Sequence, residues 1–373
     1  MPSQCGSKGV IVCDNGTGLV KCGWAGDTVP HVFPCIVGRP FAHQQPSEQP
    51  APSRVLVGAD ARAAGSKLSL SYPMSNGMIT GWDDMNRIWD HAFFAQLDLD
   101  PRDAPDQLIL LTDPALNPTA IRERVFQNMF EKYGFGGVNI QVQAVLTLYA
   151  LAPIPARLCV MPLAGAGRHV TSYLLDLLRR RGCSLDSSAD METVRAIKEK
   201  LCYVALNFAR EQKFANETTA CVESYVLPDG KVLRLGAERF TAPEVLFTPS
   251  MVDSEAPGIA QMTFNAINEA SMDVRRRLYE HIVISGGSSM YPGLPDRMQS
   301  DIVALHHDRV LKGQPSASAP RIRVEAPSNR KHLVFQGAAV LASIMQDDPS
   351  FWVSRQEYQE DPYRAMMKCS ATA

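Results

Sequence analysis

Asp14, Thr17 and Lys21 fall close together in the segment 9–26, GVIVCDNGTGLVKCGWAG. Their types suit phosphate chemistry: Lys21 carries a positive charge, Thr17 a hydroxyl, and Asp14 a carboxylate able to hold a hydrated Mg²⁺. The β-branched run Val10, Ile11 and Val12 leads into Asp14-Asn15-Gly16-Thr17-Gly18, and Leu19 and Val20 follow ahead of Lys21. That order reads as a strand, a tight turn and a returning strand. Gly16 and Gly18 let the backbone approach a ligand closely, and successive N–H groups in such a turn form a concave anion site. Asn-Gly is also an ordinary hairpin signal, and the segment alone supports both readings equally.

Three further segments carry candidate chemistry. The apolar stretch 281–284 runs into Ser285-Gly286-Gly287-Ser288-Ser289-Met290-Tyr291. A glycine pair at the end of a buried strand permits close approach to a nucleotide, although a plain strand-to-helix turn is the commoner meaning. Arg195, Lys198 and Glu199 lie in a charged helical stretch that ordinarily makes a solvated face. Lys331, in an Asn-Arg-Lys turn, ordinarily belongs to the surface.

These residues need a scaffold, and 373 residues are enough for two domains or one large divided one. A hydrophobic share of 45% with 20% charged residues is that of a soluble globular chain. A net charge of -2 gives no electrostatic case for nucleic acid or an anionic membrane. The nine cysteines are odd in number, scattered, and without a C-x-x-C pair. Buried thiols in a reduced cytoplasmic protein fit them better than disulfides or a zinc site. The first residues, MPSQCGSKG, lack the apolar core of a signal peptide. The stretch 146–167 is too interrupted by Pro153, Pro155, Arg157 and Pro162 to span a membrane.

Along the chain, residues 39–53 are rich in Pro, Gln and Ser and read as an exposed loop. A helix is expected over 82–94, with Asp83 and Asp84 at its positive end. Residues 108–112 read as a buried parallel strand. Asn117 is expected to cap a helix that carries Pro118 first and runs to about Lys132. Further helices are expected over 143–150, over 191–210 as one long element with Val194, Ile197, Leu201 and Val204 inward, and over Leu333–Met345. Residues 225–234 contain an Asp-Gly hairpin turn. Strands and helices alternate, so the class is α/β.

Taken in order, DNGTGLVKCG, QAVLTLYA, IKEKLCYVAL, SGGSSMYPG and NRKHLVFQGAAVLAS resemble the actin family over nearly the whole chain. Longer stretches, including SADMETVRAIKEKLCYV, VESYVLPDGKVLRLGAERFTAPEVLF and FWVSRQEYQE, are similar to actin-related proteins that nucleate branched filaments. The resemblance implies a two-lobed actin-like ATPase fold, of the actin, hexokinase and heat-shock-70 type, with a central nucleotide cleft. The first lobe would comprise 1–145 and 332–373, with a small subdomain at about 39–71. The second would comprise 146–331, with an outer subdomain at about 166–254. It further implies ATP and Mg²⁺ as ligands. Asp14, Gly16, Thr17, Gly18, Leu19 and Lys21 would form the first phosphate hairpin, with Asp14 holding Mg²⁺ through water. Gln143 would position the attacking water. Arg195, Lys198 and Glu199 would approach base and ribose, Gly286, Gly287, Ser288, Met290 and Tyr291 would line the nucleotide floor, and Lys331 would flank the adenine. Expected partners are actin, the other subunits of the nucleating complex and nucleation-promoting factors, in the cytoplasm and cytoskeleton, with no nucleic acid and no membrane insertion.

One departure stands out. The family's second phosphate hairpin follows the QAVLTLYA helix and carries a turn resembling D-S-G-D-G. Here LAPIPARLCVMPLAGAG stands in its place, and the segment is shortened by roughly twenty residues near 151–167. No Asp or Glu occurs between Glu131 and Asp176. Gly165-Ala166-Gly167 reads as the turn opening the next helix. The leading expectation is a structural, nucleotide-binding protein; the alternative is an ATPase or sugar kinase on the same superfamily fold, which needs both hairpins.

Overall fold

The computed structural model describes residues 9–40, 55–151, 166–185, 188–314 and 319–370. Of the loop expected over 39–53, Arg39 and Pro40 instead end the strand Val37–Pro40, where they pair with a neighbouring strand, and 41–53 lie outside the described residues, as do 152–165, Cys5 and Cys159. The chain divides into two compact units, Met1–Ala156 with His332–Ala373, and Arg157–Lys331.

The chain opens with β1 (Val10–Asn15), β2 (Leu19–Trp24), β3 (His31–Pro34), β4 (Val37–Pro40), β5 (Leu56–Val57), α1 (Gly58–Ala63) and β6 (Leu68–Ser71). It continues through β7 (Met74–Ser75), β8 (Met78–Ile79), α2 (Trp82–Asp90), β9 (Leu108–Asp113), α3 (Thr119–Gln127), β10 (Gly137–Val142) and α4 (Gln143–Tyr149). The second unit holds α5 (Ala166–Arg180), α6 (Ser188–Leu201), α7 (Phe208–Glu217), β11 (Glu223–Val226), β12 (Val232–Leu235), α8 (Glu238–Glu244), α9 (Ile259–Glu269), α10 (Met272–Glu280), β13 (Ile282–Val283), α11 (Leu294–Arg309) and β14 (Val324–Glu325). The return segment adds α12 (Leu333–Met345), β15 (Val353–Ser354), α13 (Arg355–Glu360) and α14 (Pro362–Ser370) to the first unit.

A six-stranded sheet in the order β15-β10-β9-β1-β2-β3 organises the first unit. β1, β9 and β10 are parallel neighbours, while β2 returns antiparallel to β1. Alternating side chains of β1 serve two cores, as a pleated strand covered on both faces requires. Ile11 and Cys13 pack with Trp89, Phe93 and Phe130, whereas Val10 and Val12 pack with Leu110 and with Phe335 and Ala338 of α12. Such a strand must be apolar on both sides, which is why it reads as a continuous hydrophobic run. α12 lies against α4 at a glycine: a Cβ on Gly337 would fall 1.7 Å from the Leu146 carbonyl oxygen. A smaller sheet, β5-β4-β6, keeps its own cluster of Ile36, Ala61, Leu68 and Leu70. In the second unit, Leu174 and Leu178 of α5, Val194 and Ile197 of α6 and Ile302 of α11 share one core.

Three expectations change. Asn117 does not cap α3, whose N-cap is Pro118 without a side-chain bond. Instead the Asn117 amide donates to Asp113, which also binds the Arg122 guanidinium. A buried carboxylate needs those donors more than an exposed helix end needs a cap. The expected long helix over 191–210 is two helices, because the backbone leaves α6 to bond elsewhere. Tyr203 donates its N–H to the Arg239 carbonyl and Val204 to that of Pro292. Asn207 then caps α7 by accepting from the Arg210 N–H. The helix over 82–94 ends as α2 at Asp90 and continues in wider π-helical turns over His91–Gln96. Asp84 of its first turn is buried and tied to Arg39 and Ser71, so it anchors β4 and β6 as well as facing the helix's positive end.

Gly337→Ala is expected to lower the unfolding free energy of the first unit by about 1–3 kcal/mol, since the added methyl overlaps backbone that has no rotamer with which to yield. Urea denaturation followed by tryptophan fluorescence measures it.

Candidate functional site

In the first unit, three adjacent parallel strands bring their carboxyl ends together, the edge at which open α/β sheets present ligand-binding groups. β1 delivers Asp14, β9 delivers Thr112, and Gln143 opens α4 directly after β10. Asp14 is 2% exposed and fully engaged: its Oδ2 accepts from Lys21 Nζ at 2.7 Å, and its Oδ1 accepts from the Thr112 hydroxyl at 2.7 Å and from Gln143 Nε2 at 3.4 Å. Gln143 Nε2 also lies 3.2 Å from Thr112 Oγ1. Lys21 stands opposite Asp14 in the β1–β2 register, so the hairpin itself sets the ion pair.

The turn between those strands is wider than a two-residue Asn-Gly turn, because pairing ends at Asn15 and Val20. Neither Gly16 nor Gly18 lies in the left-handed region. Gly16 is required for another reason: a Cβ there would meet the Leu19 carbonyl oxygen at 2.5 Å. Thr17 Oγ1 accepts the Gly77 N–H at 2.8 Å, so its hydroxyl ties the turn to the β7–β8 hairpin and keeps its own proton to donate.

The second unit carries a separate cluster. Lys198 of α6 is 8% exposed and donates to the Gly167 carbonyl and to Thr171 Oγ1, both at 3.1 Å, in the opening turns of α5. Burial pushes its ammonium down to about 8. Arg195 and Glu199 pair on the same helix at 3.1 Å. Gly286 needs its positive φ of 92° to turn the chain out of β13, and its N–H bonds the Arg330 carbonyl at 3.1 Å. The Arg330 guanidinium returns to the Ser289 carbonyl, fastening the 285–289 turn to the turn ahead of α12. Gly287 is open, and a Cβ on Gly167 would come within 2.7 Å of Ser288 Oγ. Met290 is 39% exposed, and Lys331 closes the turn that Arg330 braces. Tyr291 is buried with a hydroxyl that has no partner among the described residues.

The residues expected from sequence therefore fall into two groups: Asp14, Gly16, Thr17, Gly18, Leu19, Lys21 and Gln143 in the first unit, and Arg195, Lys198, Glu199, Gly286, Gly287, Ser288, Met290, Tyr291 and Lys331 in the second. Thr112, Thr171 and Arg330 escaped sequence reasoning. Thr112 had a usable signal, a hydroxyl at the carboxyl end of the apolar strand beside β1; Arg330 had none. Among the described residues no group of three or more His, Cys, Asp and Glu could hold a metal ion. Asp14 alone suits a Mg²⁺ that keeps its water and takes its remaining ligands from phosphate. No helix among the described residues is long and apolar enough to cross a membrane.

The Actin family model matches residues 5–172 and 163–370. The chain belongs to the actin family. Its α/β class and central sheet are those of the actin-like fold. Actin-related protein 2 of Oryza sativa subsp. japonica is 49% identical over 387 positions, covering 97% of this chain and 99% of that protein. Actin-related protein 2 of Arabidopsis thaliana is 47% identical over 389 positions, covering 98% and 99%. Both alignments are longer than the 373-residue chain, so these relatives contain residues that it lacks. The two stretches of the family match overlap at 163–172.

Two outcomes test this geometry. Lys21→Met is expected to destabilise the first unit by about 3–5 kcal/mol, because it strands a buried carboxylate, and adding Asp14→Asn is expected to restore most of the loss; urea unfolding of the single and double variants decides it. Lys198 holds its proton less tightly folded, near 8, than unfolded, near 10.5. The unfolded chain thus binds more protons between those values, and stability contributed through this group rises with pH across that window. Lys198→Met is expected to remove that rise in a pH series of melting curves.

Proposed function

We propose that the chain is an actin-related protein 2-like cytoskeletal protein, acting as the ATP-binding subunit of the actin-related protein 2/3 complex that nucleates branched actin filaments, or as a specialised paralogue with impaired nucleotide handling. The observation carrying this reading is the 47–49% identity to actin-related protein 2 along nearly the whole chain. Its partners are then actin, the other complex subunits and nucleation-promoting factors, in the cytoplasm.

The residues on hand fit a Mg²⁺–nucleotide. ATP with Mg²⁺, when bound, supplies a triphosphate whose charge the protein must neutralise and orient. Lys21 spends one donor on Asp14 and keeps two for phosphate oxygens. The turn Gly16-Thr17-Gly18-Leu19 stands beside it; its Gly16 N–H already bonds the Asp14 carbonyl at 3.2 Å, and Thr17 and Leu19 supply backbone N–H groups for phosphate. Gln143 commits its amide nitrogen to Thr112 and Asp14, which leaves its carbonyl oxygen to accept from a water. Lys198, Arg195 and Glu199 serve base and ribose, Gly286, Gly287, Ser288, Met290 and Tyr291 the nucleotide floor, and Lys331 the adenine. The Tyr291 hydroxyl, buried and without a partner among the described residues, can bond a ligand there.

With the second hairpin absent, the phosphates lose one of two sets of preorganised donors, so hydrolysis is slow and the nucleotide acts as a conformational ligand. The ATPase or sugar-kinase alternative needs a second phosphate hairpin and a carboxylate base, and no Asp or Glu lies between Glu131 and Asp176.

Calorimetric titration with ATP is expected to give weak binding that strengthens with Mg²⁺ and is lost in Asp14→Ala. The expressed chain is expected to be retained by the remaining complex subunits at physiological salt. Failure of that association removes the subunit role, and ATP turnover well above background restores the enzymatic alternative.

A further inference from the structure

Cys13 and Cys22 face each other across the β1–β2 hairpin, one register step from the Asp14–Lys21 pair. The Ala25 N–H bonds the Val10 carbonyl at 2.8 Å, making that couple a hydrogen-bonded pair. Hydrogen-bonded and non-hydrogen-bonded pairs alternate along an antiparallel ladder. Val12 with Gly23 and Asp14 with Lys21 are then hydrogen-bonded, and Cys13 with Cys22 is a non-hydrogen-bonded pair. Such pairs bring their Cα atoms to about 4.5 Å and their side chains closer than the alternate class. That separation lies inside the range a disulfide spans, about 4.4–6.8 Å between Cα atoms. Both side chains point into the same core, with Trp89 and Ala92, and both are free thiols. Cys13 Sγ contacts Asn15 Oδ1 at 3.4 Å and Cys22 Sγ contacts the Ala92 carbonyl at 4.0 Å, so neither is held by a strong bond.

We propose that Cys13 and Cys22 form a redox-sensitive thiol pair that closes into a cross-strand disulfide under a peroxide, stapling the hairpin that carries Asp14 and Lys21. The first sulfur attacks the peroxide, the O–O bond breaks, and a sulfenic acid and water result. The second sulfur attacks the sulfenic sulfur, the S–O bond breaks, and a second water leaves. Two thiols and one peroxide thus give one disulfide and two waters.

The closed hairpin restrains this reaction. Both side chains are fully enclosed. Oxidant enters when β2 lifts from its neighbours. The oxidation rate therefore reads hairpin opening. Half-buried Cys183, in the second unit, supplies an internal comparison.

The full chain, reduced and then exposed to hydrogen peroxide, is examined by peptide mass mapping before and after thiol reduction. The expected product is a dithiothreitol-reversible cross-link joining the Cys13 and Cys22 peptides, formed more slowly than Cys183 is oxidised, and accompanied by slower amide exchange over residues 10–24. Cys35→Ala is expected to leave the cross-link intact and Cys22→Ala to abolish it. Oxidation of Cys183 without the cross-link overturns the proposal. So does pairing of either cysteine with Cys35, or sulfinic acid at Cys13 or Cys22 in the wild-type chain. Because the wild-type product carries the decision, poor folding of a variant does not blur it.

Discussion

The buried pair between Asp14 and Lys21 constrains much of the first unit. Two opposite charges removed from water gain little unless their geometry is good and their remaining lone pairs are satisfied. Thr112 and Gln143 meet that condition, and they can do so only if β1, β9 and β10 lie in register with their carboxyl ends level. A one-residue slip of β2 would turn Lys21 toward the wrong face and bury an uncompensated charge. The apolar alternation of β1 and the register of the hairpin are thus two expressions of one requirement.

The second unit meets its own buried charge differently. Lys198 has no carboxylate within ion-pair distance among the described residues, and it rests on a carbonyl and a hydroxyl from the start of α5. Burial loosens its proton. Arg330 and Gly286 add a rigid backbone turn beside it. One unit offers a paired charge at the end of parallel strands; the other offers a buried lysine and a glycine turn.

Much of this was legible in the residues. β1, β9 and α12 were readable because each is dominated by an apolar run, and burial leaves such runs few alternatives; β2 was readable from Leu19 and Val20 following the Asn-Gly turn signal. Asp14, Lys21 and Gln143 were readable as a set through the family resemblance, and the hairpin register then placed Lys21 beside Asp14. Asn117 was misread because local capping rules do not register the demand of Asp113, a carboxylate buried by the fold. The break between α6 and α7 was invisible because its cause is non-local: the carbonyls of Arg239 and Pro292 draw the backbone away from a helix its own sequence favours. The Thr17 hydroxyl was legible as a polar group of the turn, but only the folded chain brings the Gly77 N–H to it.

The backbone-to-backbone approach of Gly337 and Leu146 fixes α4 in place. α4 is pinned along its length by a helix from the far end of the sequence, so its position does not depend on whatever follows Tyr149. A change of chain length just downstream would fall beyond a joint that is already sealed, leaving the central sheet and both of its apolar layers in place.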